Sequence, residues 1–425
     1  YITVKDKNLN TAYRTRYSTC HQKYSLSVPF AERFFDLALG STNSRSGFVG
    51  QITANSFMKR GFGKKLIEEF FPDVDLTHVI DTSGAFIPGH GTPTVILLGR
   101  NRQPQFDHLR AVMGIKSEPS TPQNASQGLV WQSIVAHIDT AGREDDFTSS
   151  TDVVRSMLLT HPWSMSGGGA AELCDQISGF TTTTLEALTK DIGFMAISGE
   201  DDAFAAPASV FRRNSVNHRI FCIGEYLRDW GVIEPDSSIA FPYDASSDSL
   251  KAVQGRDALP FLQYFWGCRT TLRNRIMFGK TPEQHGFPWF AYMQFIRHRA
   301  NSRLSIAFAF VATHNHFTLE RGGRVFKQSS PIITLKDDAS EGDHFALLGL
   351  LNSSVGCFWM HQMFHNKGRP GADSAAADER WEFRFEHDGT KLKRFPVPDS
   401  SPALLAEQLD AYSQDFTALT PPVAL

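Results

Sequence analysis

Arginine and aromatic residues are concentrated between Phe265 and Ser330, and such a density of charge is suited to nucleic acid. The segment carries ten basic and two acidic side chains, a local charge of +8 within a 425-residue chain of net charge −3. Phosphate backbones attract such charge by Coulomb attraction and counterion release. The alternative is a solvated charged face over an aromatic core, and the charge alone does not decide between the two. The basic positions are Arg269, Arg273, Arg275, Lys280, Arg297, Arg299, Arg303, Arg321, Arg324 and Lys327.

Two histidines in the stretch THNHF, His314 and His316, have a spacing that could bind a metal ion. At positions i and i+2 of a strand both would point the same way, but the sequence supplies no obvious third or fourth ligand. We therefore predict hydrogen-bonded turn histidines and no metal site.

The stretch GAFIPGHG contains three glycines that could cradle a phosphate. It lacks the lysine and serine of a P-loop, and no helix pattern clearly follows. We interpret the glycines as allowing a tight loop. Asp81 and His90 lie beside it as a conceivable acid/base pair, and we assign neither a role.

The first hundred residues alternate between helix and strand patterns. Ser27-Val28-Pro29 is typical of a helix start, and Phe30, Phe34, Leu37 and Ala38 follow on one face. GFVGQI predicts a strand and FGKKLIEEFF a second helix. DLTHVID and TPTVILLG predict two further strands. This order indicates an α/β layer architecture.

Composition divides the rest of the chain. Pro104 to Gly128 is rich in Pro, Ser and Gln and predicts a crossing segment or linker. Aromatic residues and arginine become frequent from about Pro260. We predict four regions, with the bounds 1–103, 104–259, 260–400 and 401–425, the last a C-terminal helix or tail.

Five cysteines, an odd number and far apart, argue against a zinc ribbon or a disulfide framework. They fit a reducing compartment. The longest apolar runs are too short to span a bilayer, and no leader pattern opens the sequence. We expect a cytoplasmic protein without a membrane partner.

Several longer motifs are more specific than these patterns. YSLSVPFAERFFDLAL, GFVGQITANSFMKRGFGKKLIEEFFP, HVIDTSGAFIPGHGTPTVILLGR, FAFVATHNHFTLERGGRVF and LLGLLNSSVGCFWM occur in this order between Tyr1 and about Pro398. Together they resemble the adenine-specific DNA methyltransferases of BREX-type phage-defence systems. The resemblance implies the C-terminal part of a Rossmann-like methyltransferase sheet in 1–103, followed by a mixed α+β target-recognition domain in 260–400.

The resemblance also implies a role for the first residue. In this family an Asn-Pro-Pro-Tyr motif holds the target amine, and Tyr1 matches its last position. The preceding Asn-Pro-Pro and the glycine-containing loop for S-adenosylmethionine are absent from this sequence. We therefore expect the C-terminal portion of a larger enzyme (EC 2.1.1.72), with weak or no S-adenosylmethionine binding and no methyl transfer by this polypeptide alone.

The family extrudes its target adenine from the duplex and holds it between aromatic faces. The resemblance places Tyr1 on one face of the base. Phe86 occupies the matching position of the loop between the last two strands of the sheet and would supply the other face. Core packing is the alternative for Phe86, and a frayed terminus is the alternative for Tyr1.

The resemblance assigns double-stranded DNA to the second half of the chain. The candidate contacts are Arg269, Arg273, Arg275, Arg297, Arg299 and Arg303, and the loop His365 to Pro370 is a further candidate. For each arginine the alternative is a surface salt bridge or solvent exposure. Other phage-defence proteins are possible partners.

Two other functions are compatible with the sequence. One is a DNA-binding specificity protein without catalysis. The other is a fused restriction–modification enzyme, although no PD…ExK nuclease cluster is present. Finding FxGxG and NPP codons before Tyr1 would favour the methyltransferase.

Overall fold

The computed structural model describes residues 2–40, 45–233, 237–244, 250–367 and 383–419. The chain forms two compact units. The first contains residues 1–177 and 361–386, and the second contains residues 178–360 and 387–425.

The strands have the following bounds: β1 (Phe48–Ala54), β2 (Asp75–Asp81), β3 (Thr94–Arg100), β4 (His108–Gly114), β5 (Arg143–Glu144), β6 (Thr148–Val154), β7 (Thr189–Gly193), β8 (Ala196–Ile197), β9 (Ala205–Pro207), β10 (His218–Cys222), β11 (Ser237–Ala240), β12 (Gln294–Phe295), β13 (Ser305–Phe308), β14 (Val311–Ala312), β15 (Phe317–Glu320), β16 (Arg324–Phe326), β17 (Ile332–Leu335), β18 (His365–Asn366) and β19 (Phe385–Glu386).

The α-helices have the following bounds: α1 (Lys7–Arg16), α2 (Ser27–Leu37), α3 (Leu129–His137), α4 (Ala170–Gly179), α5 (Leu185–Leu188), α6 (Asp201–Phe204), α7 (Ala208–Arg213), α8 (Leu259–Tyr264), α9 (Arg269–Arg273), α10 (Arg297–Ala300), α11 (Glu341–Leu351), α12 (Ser354–Met363), α13 (Gly389–Leu392) and α14 (Ala403–Leu419).

The first unit is built on a six-stranded sheet in the order β1-β3-β2-β4-β6-β5. β3 pairs antiparallel with both β1 and β2, so β1 and β2 run parallel to each other. β4 also runs parallel to β2. The carboxyl ends of these three strands therefore lie at one edge of the sheet. The α/β class and the three predicted strands in this region are confirmed.

Helix α2 forms where the sequence predicts it, but it uses a different face. Val28, Ala31 and Phe35 are buried against the first core. Phe34 and Leu37 of the predicted apolar face are 41% and 64% exposed. The prediction of one apolar face was wrong because the segment has apolar side chains on both sides. The helix also begins at Ser27 after Leu26, without a side-chain cap.

The second predicted helix is an irregular helical segment between β1 and β2. Gly61–Gly63 forms a 3-10 turn, Leu66–Phe70 a π turn and Phe71–Asp73 another 3-10 turn. Its apolar side chains Leu66 and Ile67 are nevertheless buried in the core of this unit. The segment thus buries these side chains with a backbone of 3-10 and π turns in place of a regular α-helix.

The second unit contains two four-stranded sheets and a two-stranded pair. The sheets have the orders β16-β10-β11-β9 and β15-β13-β17-β7, and β8 pairs with β12. Helix α11 begins with a capping box between Ser340 and Asp343, a device that satisfies two free backbone N–H groups at a helix start. The mixed α+β character expected for this half is present.

The observed division of the chain differs from the predicted regions 1–103, 104–259 and 260–400. The segment predicted as a linker contributes β4, a central strand of the first sheet, because Leu109, Ala111 and Val112 are fully apolar and buried. The units divide at 177/178 instead. The predicted C-terminal helix is present as α14.

One segment of the first unit follows the second unit in the sequence. Gln362, in residues 361–386, accepts a hydrogen bond from the Lys59 ammonium through its backbone oxygen. Its side-chain Oε1 accepts a 3.0 Å hydrogen bond from Ser164 Oγ. The chain therefore passes between the two units three times, after Ile177, Met360 and Glu386.

No disulfide forms among the five cysteines, all of which lie in the described residues. Among the helices of the described ranges, none combines the length and the apolar character needed to cross a bilayer.

Candidate base pocket and DNA-binding surface

The loop of residues 82–93 joins β2 to β3 at the edge formed by the carboxyl ends of β1, β2 and β4. Phe86 lies on this loop and is half-buried. Tyr1, the other predicted base-contacting residue, lies outside the described residues. The structure thus places Phe86 at the sheet edge that the resemblance requires, and the pairing with Tyr1 stays a prediction.

A hydrogen-bond network holds the start of this loop. The Asp81 carboxylate accepts hydrogen bonds from the Ser83 backbone N–H, at 2.9 Å, and from the Ser83 hydroxyl. Asn55 Nδ2 donates to Ser83 Oγ at 2.9 Å. Gly84 is needed for close approach, since a Cβ there would lie 3.0 Å from the Lys116 carbonyl oxygen. The loop is therefore held against two segments, one that follows β1 and one that follows β4.

Asp81 itself is a structural acid in this network. Burial raises the pKa of its carboxyl, and the Ser83 hydrogen bonds oppose that effect. His90 closes the loop by a backbone bridge to Ile87. We therefore assign no acid/base role to Asp81 or His90.

Arg275 differs from the other predicted DNA contacts because it is buried, with 6% of its surface exposed. Its guanidinium donates to the carbonyl oxygens of Leu272 at 2.9 Å and Ala291 at 2.9 Å, and also to those of Ser198 and Trp289. Burial lowers its pKa to about 10. We assign it to holding these loops together, and it takes no further part in the DNA-binding surface.

Acidic side chains pair with five of the basic side chains of this segment, and three of these acids, Asp191, Asp201 and Asp410, lie outside the segment and are not part of its charge count. Arg299 Nη2 lies 2.6 Å from Asp191 Oδ2, and Arg273 Nη2 lies 2.8 Å from a Glu283 oxygen. Three further pairs lie at 2.6 to 2.8 Å: Arg321–Asp410, Arg324–Glu320 and Lys327–Asp201. The local charge of +8 therefore overstates the charge that the folded surface presents.

Asp191 contacts two consecutive residues, His298 and Arg299. His298 Nε2 lies 2.8 Å from the same carboxylate oxygen that Arg299 contacts. Burial raises the pKa of the Asp191 carboxyl, but the hydrogen bonds from His298 and the Arg299 charge outweigh it and hold the pKa below its ordinary value.

Arg269 has an aromatic partner. Its guanidinium carbon lies 4.7 Å from the centre of the Trp266 ring, and the Trp266 side chain is 62% exposed. A cation over an exposed indole is a surface that base rings or phosphates can approach. Arg269 remains a candidate DNA contact.

Arg297 and Arg303 form the most open part of the basic surface. Both are exposed, and within the described part of the chain neither forms an ion pair. They line a cavity of about 890 Å³, together with the basic or titratable side chains of Lys190, His298, Lys336 and His344. Asp337 and Glu341 also line it, and Asp337 pairs with Lys190 at 2.7 Å. We refer to this cavity as the basic groove.

The histidines of the THNHF motif have a partner that the sequence did not reveal. Asp229 Oδ1 lies 2.6 Å from His316 Nδ1 and 3.7 Å from His314 Nε2. Asp229 is 85 residues earlier in the sequence than His314, and no local pattern connects the two. The sequence offers no obvious third ligand for these histidines, and the fold brings the Asp229 carboxylate close to both of them.

The loop His365 to Pro370 is only partly described. His365 and Asn366 form β18, which pairs antiparallel with β19, and residues 368–370 lie outside the described residues. Its proposed role at DNA stays a prediction.

The first sheet, with its reversed strand β3 between parallel strands and its glycine-containing loop at their carboxyl ends, has the α/β fold class of a Rossmann-like methyltransferase. The chain is 43% identical, over 99% of its length, to the adenine-specific methyltransferase PglX of Streptomyces coelicolor. The resemblance predicted from the motifs is confirmed, and the chain is related to the PglX-type adenine-specific methyltransferases. It spans about a third (36%) of that relative's length.

Two solved structures were also similar. The type IIG restriction endonuclease BpuSI gives a TM-score of 0.38 at 9% identity, with 98% of this chain and 48% of that chain covered. The type IIL restriction–modification enzyme MmeI, solved in complex with DNA, gives a TM-score of 0.41 at 8% identity, with 92% and 52% covered. No family model matches the chain.

Proposed function

We propose that this chain supplies the base-holding loop and the DNA-binding surface of an adenine-specific DNA methyltransferase that acts in phage defence. The observation that carries the proposal is the 43% identity to the adenine-specific methyltransferase PglX along essentially the whole chain. Because the chain covers about a third of that relative, the methyl transfer is proposed for a longer protein. S-adenosylmethionine would be its methyl donor, and we assign none of the described residues to that cofactor.

The chemistry requires that the adenine amine be held in a fixed orientation. The amine is a poor nucleophile because its lone pair is delocalised into the ring. Orientation of the reacting groups can lower such a barrier by about 7 kcal/mol or more. Phe86 would contribute by packing on one face of the extruded base, and the Asp81–Ser83–Asn55 network would keep its loop in place.

The basic groove would bind the phosphate backbone of the duplex. Arg297 and Arg303 have no carboxylate partner among the described residues, so their charge is available to phosphates. Arg269, beside the exposed Trp266 ring, would add a contact outside the groove. Arg299 and Arg273 would act indirectly, since acidic side chains already neutralise them.

Binding to duplex DNA tests the second part of the proposal. We expect the purified chain to bind a pool of duplexes with random internal sequence. The logarithm of its affinity should fall linearly with the logarithm of salt concentration. Sequencing the retained duplexes would then show whether an adenine-containing motif is enriched. Absence of binding at about 50 mM salt would contradict the proposal.

A chimera tests the catalytic part. The matching third of the Streptomyces relative would be replaced by this chain, and methylated adenine would be measured in the DNA of the expressing cells. We expect methylation that depends on Phe86. A chimera that folds and binds DNA but leaves adenine unmodified would favour the non-catalytic specificity protein.

A further inference from the structure

The cluster of Asp229, His314 and His316 lies in the second unit, outside the basic groove and outside the base-holding loop. Each residue offers one ligand atom, and these atoms all lie within 4.8 Å of one another. Neither the proposed methyl transfer nor the proposed DNA binding uses it. We propose that this cluster is a binding site for a zinc-class divalent cation.

The distances in the cluster suit such an ion. A tetrahedral zinc ion with bonds of about 2.0–2.1 Å separates its ligand atoms by about 3.3 Å. The observed separations from Asp229 Oδ1, 2.6 Å to His316 Nδ1 and 3.7 Å to His314 Nε2, lie on either side of that value. A change of less than about 1 Å in each of these two separations would bring it to the tetrahedral value, and the three ligand atoms all lie within 4.8 Å of one another.

The chemistry of the donors selects the kind of metal. Two imidazole nitrogens and one carboxylate oxygen suit zinc and its neighbours among the transition metals. Calcium and magnesium prefer an all-oxygen ligand set. Half of the Asp229 side chain (51%) and of the His314 side chain (47%) is exposed. A fourth position would therefore be open to water, as in zinc sites with three protein ligands.

The histidine segment is held in place by the residue between the two ligands. Asn315 is buried, and its Nδ2 donates to the carbonyl oxygens of Leu351, at 2.6 Å, and Ser353, at 3.2 Å. Turning Asn315 inward directs His314 and His316 to the opposite side, where their ring centroids are 4.1 Å apart. Both imidazoles are thus oriented by the fold before an ion binds.

The second ring nitrogen of His314, which would not bind the ion, also has a hydrogen-bond partner. Its Nδ1 lies 3.0 Å from Thr313 Oγ1, which leaves Nε2 facing Asp229. Metal-bound histidines commonly use their second nitrogen in a hydrogen bond, and such a contact helps to hold the orientation of the ring.

Asp229 is carried by a tight turn that is fixed to β15, the strand that follows the histidines. Trp230 N–H donates to the Phe317 carbonyl oxygen at 3.1 Å, and Thr318 Oγ1 donates to the Trp230 carbonyl oxygen at 3.2 Å. The neighbouring Arg228 guanidinium is engaged with the carbonyl oxygens of Glu225 and Leu227. A bound ion would lock this turn to the segment that leads into β15.

The site is tested by treating the whole chain with a chelator and then titrating it with zinc chloride at pH 8 in a calorimeter. We expect one strong equivalent per chain. His314→Gln and Asp229→Asn should each weaken this binding by about ten-fold or more. His298→Gln is the matched control, because His298 also lies 2.8 Å from an aspartate oxygen but, among the described residues, belongs to no cluster of three ligand side chains. The control should bind zinc as the unaltered chain does.

Cobalt substitution gives a second readout. A tetrahedral cobalt site absorbs visible light, and this absorption should appear at one equivalent and be lost in His314→Gln. His314 is half-exposed, so circular dichroism of this variant should match that of the unaltered chain. Equal zinc binding by all variants, or the same loss in His298→Gln, would overturn the proposal, as would the absence of any strong equivalent in the unaltered chain.

Discussion

Arg299 and Asp191 form an ion pair of 2.6 Å, although 108 residues separate them in the sequence. A guanidinium that the local charge count treats as free is thereby neutralised within the fold. The same holds for Arg321 with Asp410. The distinction between paired and unpaired arginines is the basis for our predictions about DNA binding.

Replacing Arg303 or Arg297 by glutamine should weaken duplex binding with little dependence on DNA sequence. Each variant loses one phosphate contact. The slope of the logarithm of affinity against the logarithm of salt concentration should therefore become shallower by about 1. Fluorescence anisotropy at several salt concentrations measures both quantities. Arg273→Gln is the control, because Glu283 already neutralises Arg273. An equal loss in the control would contradict the assignment of the basic groove.

Replacing Arg275 by methionine should destabilise the protein by about 2–4 kcal/mol, because four buried carbonyl oxygens lose their donor. Denaturation by urea measures this change. Arg269→Met should cost less than about 1 kcal/mol, since it removes only a half-exposed contact with Trp266. If Arg275→Met kept full stability but abolished DNA binding, Arg275 would be a DNA contact after all.

Replacing Phe86 by alanine should reduce adenine methylation by the chimera, because the extruded base loses an aromatic face worth about 1–3 kcal/mol. Phe86→Trp retains a ring and should restore much of the activity. The rates are compared at equal amounts of folded protein. A core-packing role predicts that the alanine variant loses stability and that methylation falls only in proportion to unfolding.

Replacing Asp191 by asparagine should destabilise the protein by about 1–2 kcal/mol at neutral pH, since Arg299 and His298 lose a charged acceptor. The pKa of Asp191 is lower in the folded protein than its ordinary value of 3.8. Its stabilising effect is therefore present above pH 3.8 and is lost as the pH falls through the folded pKa. The difference in unfolding free energy between the two proteins should shrink below about pH 4. A constant difference down to pH 2 would contradict the ion pair.

The elements of the first sheet were predictable because their patterns are local. GFVGQI, DLTHVID and TPTVILLG are short apolar runs with clear ends, and they form β1, β2 and β3. The role of β4 was missed because Pro, Ser and Gln dominate its surroundings, while four of its seven residues are buried in a sheet whose other strands are distant in the sequence.

The face of α2 could not be chosen from the sequence. Phe30 and Phe34 on one side and Val28 and Phe35 on the other are equally apolar, and only the packing against the first core separates them. Helical spacing identifies an apolar stripe, but it does not identify which of two stripes faces the core.

The candidate sites show the same limit. Phe86 was predicted from a sequence motif, and it lies on the loop between β2 and β3; its role at the base stays a prediction. Which basic side chains are neutralised depends on acids far away in the sequence, such as Asp191 for Arg299 and Asp201 for Lys327. Asp229 joins the two histidines only through the fold of its turn.

The return of residues 361–386 to the first unit has a consequence for recombination between related genes. A single crossover between two genes, placed near residue 177, would join a foreign downstream segment to the first unit. The Ser164 contact would then depend on the side chain that replaces Gln362, whereas the Lys59 contact is made to a backbone oxygen. Recombination that moves residues 178–360 as a cassette with two breakpoints would keep these contacts, and natural mosaics should carry breakpoints at both positions.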